Sequence, residues 1–329
     1  MARLLQRICN YSSRSRTCDR LCILECGGGT ESAEISVLLA IDKWIYSFHM
    51  ALFFFISGYL QSISEKKGYG WENIKKKLIS IIGPYIFFSI VFWLFKKAFA
   101  GSISNPVSLR DLLLIGVFPL SDLWFLYALA VFYIIRVVII RLRINENFIF
   151  ITAILISLIS MAVEWDVMIS NTALPRICKY LSFYCGGEIF KRDFKKTVEI
   201  KKYLLYSIVM LLCGITGLYA SNHCSGIWKA MIQLIIAWLN IFAFVVAGMI
   251  LNSKFLQFFG MRSLYVFLVH DYAVCAVVIV VRRFLSSPSV MTALATVGGL
   301  LFSVFVIWIC TRVKLFDYCF KPQLLFKYR

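Results

Sequence analysis

Apolar stretches of nearly twenty residues recur along almost the whole chain, at 44–62, 78–99, 123–140, 148–163, 177–190, 203–219, 228–251, 263–281 and 290–309. A helix of roughly 20 apolar residues spans a bilayer's hydrocarbon core. Hydrocarbon offers no partner to backbone N–H and C=O groups, so each run must satisfy its own by coiling. The expected fold is all-α, a polytopic transmembrane helix bundle of about nine spans. The runs at 148–163 and 177–190 are short enough to be tilted, interfacial or partly re-entrant. Composition excludes a soluble body: 60% of residues are hydrophobic and 16% charged, with a mean hydropathy of +0.81, which leaves too little polar surface to face water. The polar gaps between runs are short, so no separate soluble domain is expected.

A net charge of +18 would point to nucleic acid in a soluble protein. Here the Lys and Arg gather in connectors between spans, where they set orientation, and no nucleic-acid partner is expected. Lys66, Lys67, Lys75, Lys76 and Lys77 follow the first run, Arg141 and Arg143 the third, and Lys191, Arg192, Lys195, Lys196, Lys201 and Lys202 the fifth. These alternate connectors are expected to be cytoplasmic, as is a basic tail over 316–329. The intervening stretches fit the opposite side, since 164–176 carries two acids and 220–227 no Lys or Arg. Arg282 and Arg283 break the pattern.

The front end breaks it too. Nine spans with a cytoplasmic C-terminus put the N-terminus outside, yet Arg3, Arg7, Arg14, Arg16 and Arg20 favour the inside. One more span ahead of residue 44 would remove the conflict, but Gly27-Gly28-Gly29 interrupts the stretch available for it. Of the eleven cysteines, Cys9, Cys18, Cys22 and Cys26 crowd this segment. No disulfide framework follows from them. Their four-residue spacing lacks a nearby His or a paired C-x2-C, so no metal site is expected.

From Trp44 the text Trp-Ile-Tyr-Ser-Phe-His-Met-Ala-Leu-Phe-Phe-Phe-Ile-Ser-Gly-Tyr-Leu runs to Leu60. It resembles a signature of the membrane acyltransferase-3 family of O-acyltransferases. Three further stretches are similar to the same family in the same order: Lys75-Lys76-Lys77-Leu78 leading to Pro84-Tyr85, then Asp122-Leu123-Trp124-Phe125-Leu126, then Phe259-Gly260-Met261-Arg262-Ser263-Leu264 running to His270. The resemblance makes 41–315 an acyltransferase-3 membrane domain. It implies a ten-helix bundle that moves an acyl group, usually acetyl from acetyl-CoA, onto hydroxyls of surface polysaccharide or related glycans. A bacterial inner (plasma) membrane is the expected location, and membrane lipid, the acyl-CoA donor and a glycan or lipid-linked saccharide are the expected partners. No tightly bound cofactor is expected.

Family members begin with a helix carrying an Arg and, about ten residues on, a catalytic His. Residues 1–40 hold no histidine, and that helix corresponds to the span that charge topology finds missing. The enrichment of Arg, Cys, Ser and Gly over 9–32 points to a frameshifted or wrongly started reading frame. Residues 1–40 are expected to be an atypical, poorly ordered segment. Resequencing the locus tests this, since the idea requires an upstream frame that encodes an apolar helix with Arg and His.

Acetyl transfer to a hydroxyl needs a base as oxygen attacks the thioester carbonyl, and histidine titrates near neutrality. His49 sits within the signature at the outer end of the first run, and ionisable groups inside membranes are costly enough to be functional candidates. Base and substrate-orienting roles are both open to it, and a neutral packing histidine is the bland reading. His270 lies mid-span beside Asp271, as a second catalytic candidate or a structural polar link. His223 lies in a polar outer loop and reads as solvated. Coenzyme A carries phosphates, so Lys75, Lys76, Lys77 and Arg262 are donor-binding candidates, although topology alone would put lysines there. Trp124 and Tyr127 at the outer end of the third span are candidates to stack on a sugar, or members of an interfacial aromatic belt. Glu188 follows Gly186-Gly187, two glycines that permit close helix approach, and is a substrate-binding or cation-pairing candidate.

Two rival readings remain open from the sequence. A transporter or flippase for a lipid-linked sugar would show similar belts, but no symmetry between halves is visible. A non-catalytic remnant that folds without turnover is the other.

Overall fold

The computed structural model describes residues 33–64, 70–98, 108–120, 123–165, 169, 172–190, 200–250, 254–281, 284 and 287–323. The expectations placed on residues 1–32, including the Cys18, Cys22 and Cys26 run, lie outside the described residues, as do Arg282 and Arg283. Among the described residues there is helix and no strand. In chain order the helices are α1 (Ala33–Ser64), α2 (Trp71–Ala98), α3 (Leu109–Leu113), α4 (Trp124–Arg141), α5 (Glu146–Ala162), α6 (Leu174–Phe190), α7 (Ile200–Ser221), α8 (Gly226–Ile250), α9 (Lys254–Met261), α10 (Ser263–Val281), α11 (Pro288–Arg312) and α12 (Lys314–Phe320).

Each of the nine apolar runs meets one helix: α1, α2, α4, α5, α6, α7, α8, α10 and α11. Five of these helices are long and apolar enough to cross a membrane, Ile35–Ser64, Trp71–Ala98, Trp124–Arg141, Gly226–Gly248 and Ser289–Arg312, and shorter apolar helices occupy Glu146–Ala162, Leu205–Ser221 and Ser263–Val278. The chain is an integral, multi-pass membrane protein. Its helices turn large apolar side chains outward, such as Ile41, Ile45, Leu60 and Ile63 on α1 and Val297, Leu301, Phe305 and Trp308 on α11. Water would penalise that surface and lipid does not.

Two boundaries differ from the sequence reading. The first helix starts at Ala33 and has 32 residues, which is about 48 Å of helix. His49 therefore lies near the middle of this helix. The second helix starts at Trp71, so Lys75, Lys76 and Lys77 are helical residues and not loop residues.

The residues fall into two compact units. One comprises Lys75–Tyr127 and Phe255–Arg329 with the chain up to Asp42, and the other Lys43–Ile74 and Ala128–Lys254. In the second unit α5 pairs with α6, α7 with α8, and α8 also packs on α5. Its core is aromatic: Phe54 and Phe132, both fully buried, meet edge to face at 5.1 Å, and Phe183 packs on Trp238 at 5.1 Å. A polar seam ties α5 to α6, where Ser157 Oγ donates to the Cys178 carbonyl (3.0 Å) and lies 2.9 Å from Ser182 Oγ. Hydroxyls in such seams replace partners that lipid cannot supply. In the first unit α10 pairs with α11 and α11 with α12, over a core of Val274, Val278, Met291 and Ala295.

Candidate functional site

Helices α1 and α6 cross with their backbones in contact, and a glycine on each side makes this possible. A Cβ added at Gly58 would collide with the Tyr184 carbonyl, and one added at Gly187 with the Phe55 carbonyl. Each glycine thus fits against the opposing main chain, the small-residue packing that brings membrane helices closest. The crossing fixes the end of α6 at Glu188, whose amide lies 3.4 Å from where a Gly58 Cβ would be.

Glu188 meets Arg136 there. Arg136 stands on α4, 5% exposed, with Nε 3.2 Å from Glu188 Oε1 and Nη2 2.9 Å from Glu146 Oε1 at the start of α5. One guanidinium therefore bridges two carboxylates from two other helices. Its planar fork makes this possible, whereas a lysine would offer a single point charge. Of these residues only Glu188 is among the candidates read from the sequence; Arg136 and Glu146 are added by the structure. The signal was present: Arg136 is an ionisable group inside an apolar run, which is a functional candidate on cost alone.

His49 belongs to the same unit, nine residues before Gly58 and so about 14 Å along the α1 axis from the crossing. Its Nδ1 lies 3.1 Å from the Ile45 carbonyl, and the Tyr46 ring meets it edge-on at 4.7 Å. A carbonyl only accepts, so in this contact Nδ1 is the donor. His49 and Glu188 are not brought together.

The first unit holds the other candidates. His270 on α10 repeats the same arrangement, with Nδ1 2.9 Å from the Val266 carbonyl and 3.0 Å from the Phe267 carbonyl. The Asp271 side chain lies outside what is described. Lys75 and Lys76 are exposed and Lys77 is half-buried on the first turns of α2. Arg262 precedes α10, where its carbonyl accepts from the Tyr265 amide at 3.0 Å and its guanidinium lies 4.3 Å from the centre of the Phe258 ring. Trp124 is buried at 6% exposure. Tyr127 is half-buried and packs on Tyr85 at 5.9 Å, while Tyr85 donates to the Ile115 carbonyl. His223 is exposed. Among the described residues no group of three or more His, Cys, Asp or Glu is placed to hold a metal ion.

Helical membrane segments with sparse, positioned ionisable groups define a membrane-embedded protein with buried polar sites. Residues 27–312 match the family described as "Acyltransferase domain" (Acyl_transf_3), and the chain belongs to this acyltransferase-3 family. The chain is also similar to nodulation protein NolL from Mesorhizobium japonicum (strain LMG 29417 / CECT 9101 / MAFF 303099), at 28% identity over 149 residues. The matched stretch covers 45% of this chain and 37% of that relative. No solved structure matches.

Proposed function

We propose that this chain is an integral-membrane O-acyltransferase that moves acetyl from acetyl-CoA to a hydroxyl of a cell-envelope polysaccharide or related glycan, in a bacterial inner membrane. The observation that carries the reading is the acyltransferase family match over 27–312, which includes the Trp44–Leu60 signature with His49 inside it. In the reaction the acceptor hydroxyl oxygen attacks the thioester carbonyl, a C–O bond replaces the C–S bond, and the coenzyme A thiolate leaves. The hydroxyl proton passes to a neutral imidazole, for which His49 and His270 are the candidates, each with Nδ1 committed to a carbonyl. Lys75, Lys76, Lys77 and Arg262 are the donor-phosphate candidates, since a coenzyme A carries a pyrophosphate and a 3′-phosphate.

The test is transfer of labelled acetyl from acetyl-CoA in membranes that contain this chain, with the glycan and lipid fractions separated afterwards. Alkali-labile label above that of membranes without the chain is the expected result. Equal label in both overturns the reading.

A further inference from the structure

The family match ends at residue 312, yet the segment that follows is packed against the domain at four points. Phe320, 5% exposed, stacks on Tyr265 of α10 with ring centroids 4.4 Å apart and planes 25° from parallel, and it meets Phe88 of α2 at 5.0 Å. Asp317 accepts the Tyr265 hydroxyl. Pro322 fills a groove on α2, where a Cβ at Gly83 would come within 2.5 Å of Pro322 Cγ.

Between these fixed points stands Lys321. Its Nζ lies 5.1 Å from the centre of the Tyr265 ring and 3.7 Å from Asp317 Oδ1, with the side chain 42% exposed. A cation held over an aromatic face and beside one carboxylate keeps its position without being withdrawn from water. The register of the two underlying helices matters here. Gly83 follows Lys76 by seven residues, two turns on the same face and about 10 Å along the axis, and Tyr265 stands just past Arg262, whose carbonyl accepts the Tyr265 amide at the start of α10. The segment therefore lies on the face of α2 that carries Lys76 and beside the start of α10, which Arg262 precedes.

We propose that residues 314–323 form a strap that completes the donor site, and that Lys321 binds a phosphate group of the acyl-CoA donor. The proposal rests on the donor reading above. The strap carries two lysines, Lys314 and Lys321, and its single carboxylate, Asp317, is occupied by Tyr265 and Lys321.

The experiment is titration of coenzyme A, and of 3′-dephospho-coenzyme A, into the purified full chain in detergent by calorimetry. Lys321→Ala is expected to weaken coenzyme A binding about tenfold, the equivalent of roughly 1.4 kcal/mol, and Lys321→Arg to retain most of it. Gly83→Val, which evicts Pro322 and so displaces Lys321 without removing its charge, is expected to cause a similar loss, and gel filtration establishes that each variant is folded. A loss seen with coenzyme A alone assigns the contact to the 3′-phosphate, and one seen with both ligands assigns it to the pyrophosphate. Either supports the strap. Wild-type binding that Lys321→Ala leaves unchanged overturns the strap and leaves the donor reading standing, whereas a wild type that does not bind coenzyme A overturns both.

Discussion

Arg136 on α4 and Glu188 on α6 face each other with Nε and Oε1 3.2 Å apart, both side chains 6% exposed. Removing one partner of such a buried pair leaves an uncompensated charge, a loss of about 3–5 kcal/mol. Arg136→Met is therefore expected to lower the thermal unfolding midpoint in detergent markedly. Arg136→Met combined with Glu188→Leu is expected to recover much of the loss, because Glu146, at 26% exposure, reaches water. Tryptophan fluorescence during heating follows both variants, and an unchanged midpoint for Arg136→Met would contradict the bridge.

The α1–α6 crossing admits no side chain at either glycine. Gly187→Val would push a branched side chain into the Phe55 carbonyl, and Gly58→Val one into the Tyr184 carbonyl. Backbone atoms cannot rotate away as a flexible side chain would. Each variant is expected to lose its monodisperse peak in gel filtration, while Gly248→Val, where nothing lies within 4 Å of an added Cβ, is expected to elute as wild type.

The two histidines are separable by their effect on turnover. A general base contributes about 100- to 10,000-fold. His49→Ala or His270→Ala, whichever removes the base, is expected to depress acetyl transfer by at least about 100-fold at normal protein abundance. The other is expected to change it by less than tenfold. Initial rates in membranes with matched protein levels check this, and two wild-type rates would remove both histidines from the proton path.

Donor binding is expected to depend on charge at the start of α2. Replacing Lys75, Lys76 and Lys77 together with Gln should raise the KM for acetyl-CoA with little change in kcat, since phosphate contacts bind ground and transition states alike. Raising ionic strength should mimic the substitution in the wild type, because exposed charges are screened beyond about 10 Å in 0.1 M salt. A KM that neither change moves would argue against a role for these lysines.

The spans were legible because apolar length is a strong signal, and the close approach at Gly186-Gly187 was legible because two adjacent glycines have few other uses in a membrane helix. The start of α1 was not. Asp42 and Lys43 look like the polar edge of a span, but the hydrogen bonds of a helix do not end where the hydrocarbon does, and Ala33–Ala40 is a good helix-forming stretch. Lys75–Lys77 misled in the same way, since lysine marks a membrane edge and also favours helix. Arg136 was passed over because its partners stand on other helices, and a single sequence does not tell which faces meet. The tail reads as a basic appendage because Lys321, Lys327 and Arg329 set its charge, whereas Phe320 and Pro322, the residues that dock it, carry no periodic signal in so short a segment.

The guanidinium that joins α4, α5 and α6 bears on how the chain is made. Arg136 enters the bilayer with its own helix, carrying an insertion cost of about 2.5–3.5 kcal/mol if left alone at depth. Glu146 follows within ten positions, but Glu188 emerges 52 positions later, roughly 3 to 10 seconds at ordinary rates of synthesis. Until then α4 is poorly suited to settle in lipid by itself, and these three segments must leave the translocon as one cooperative group.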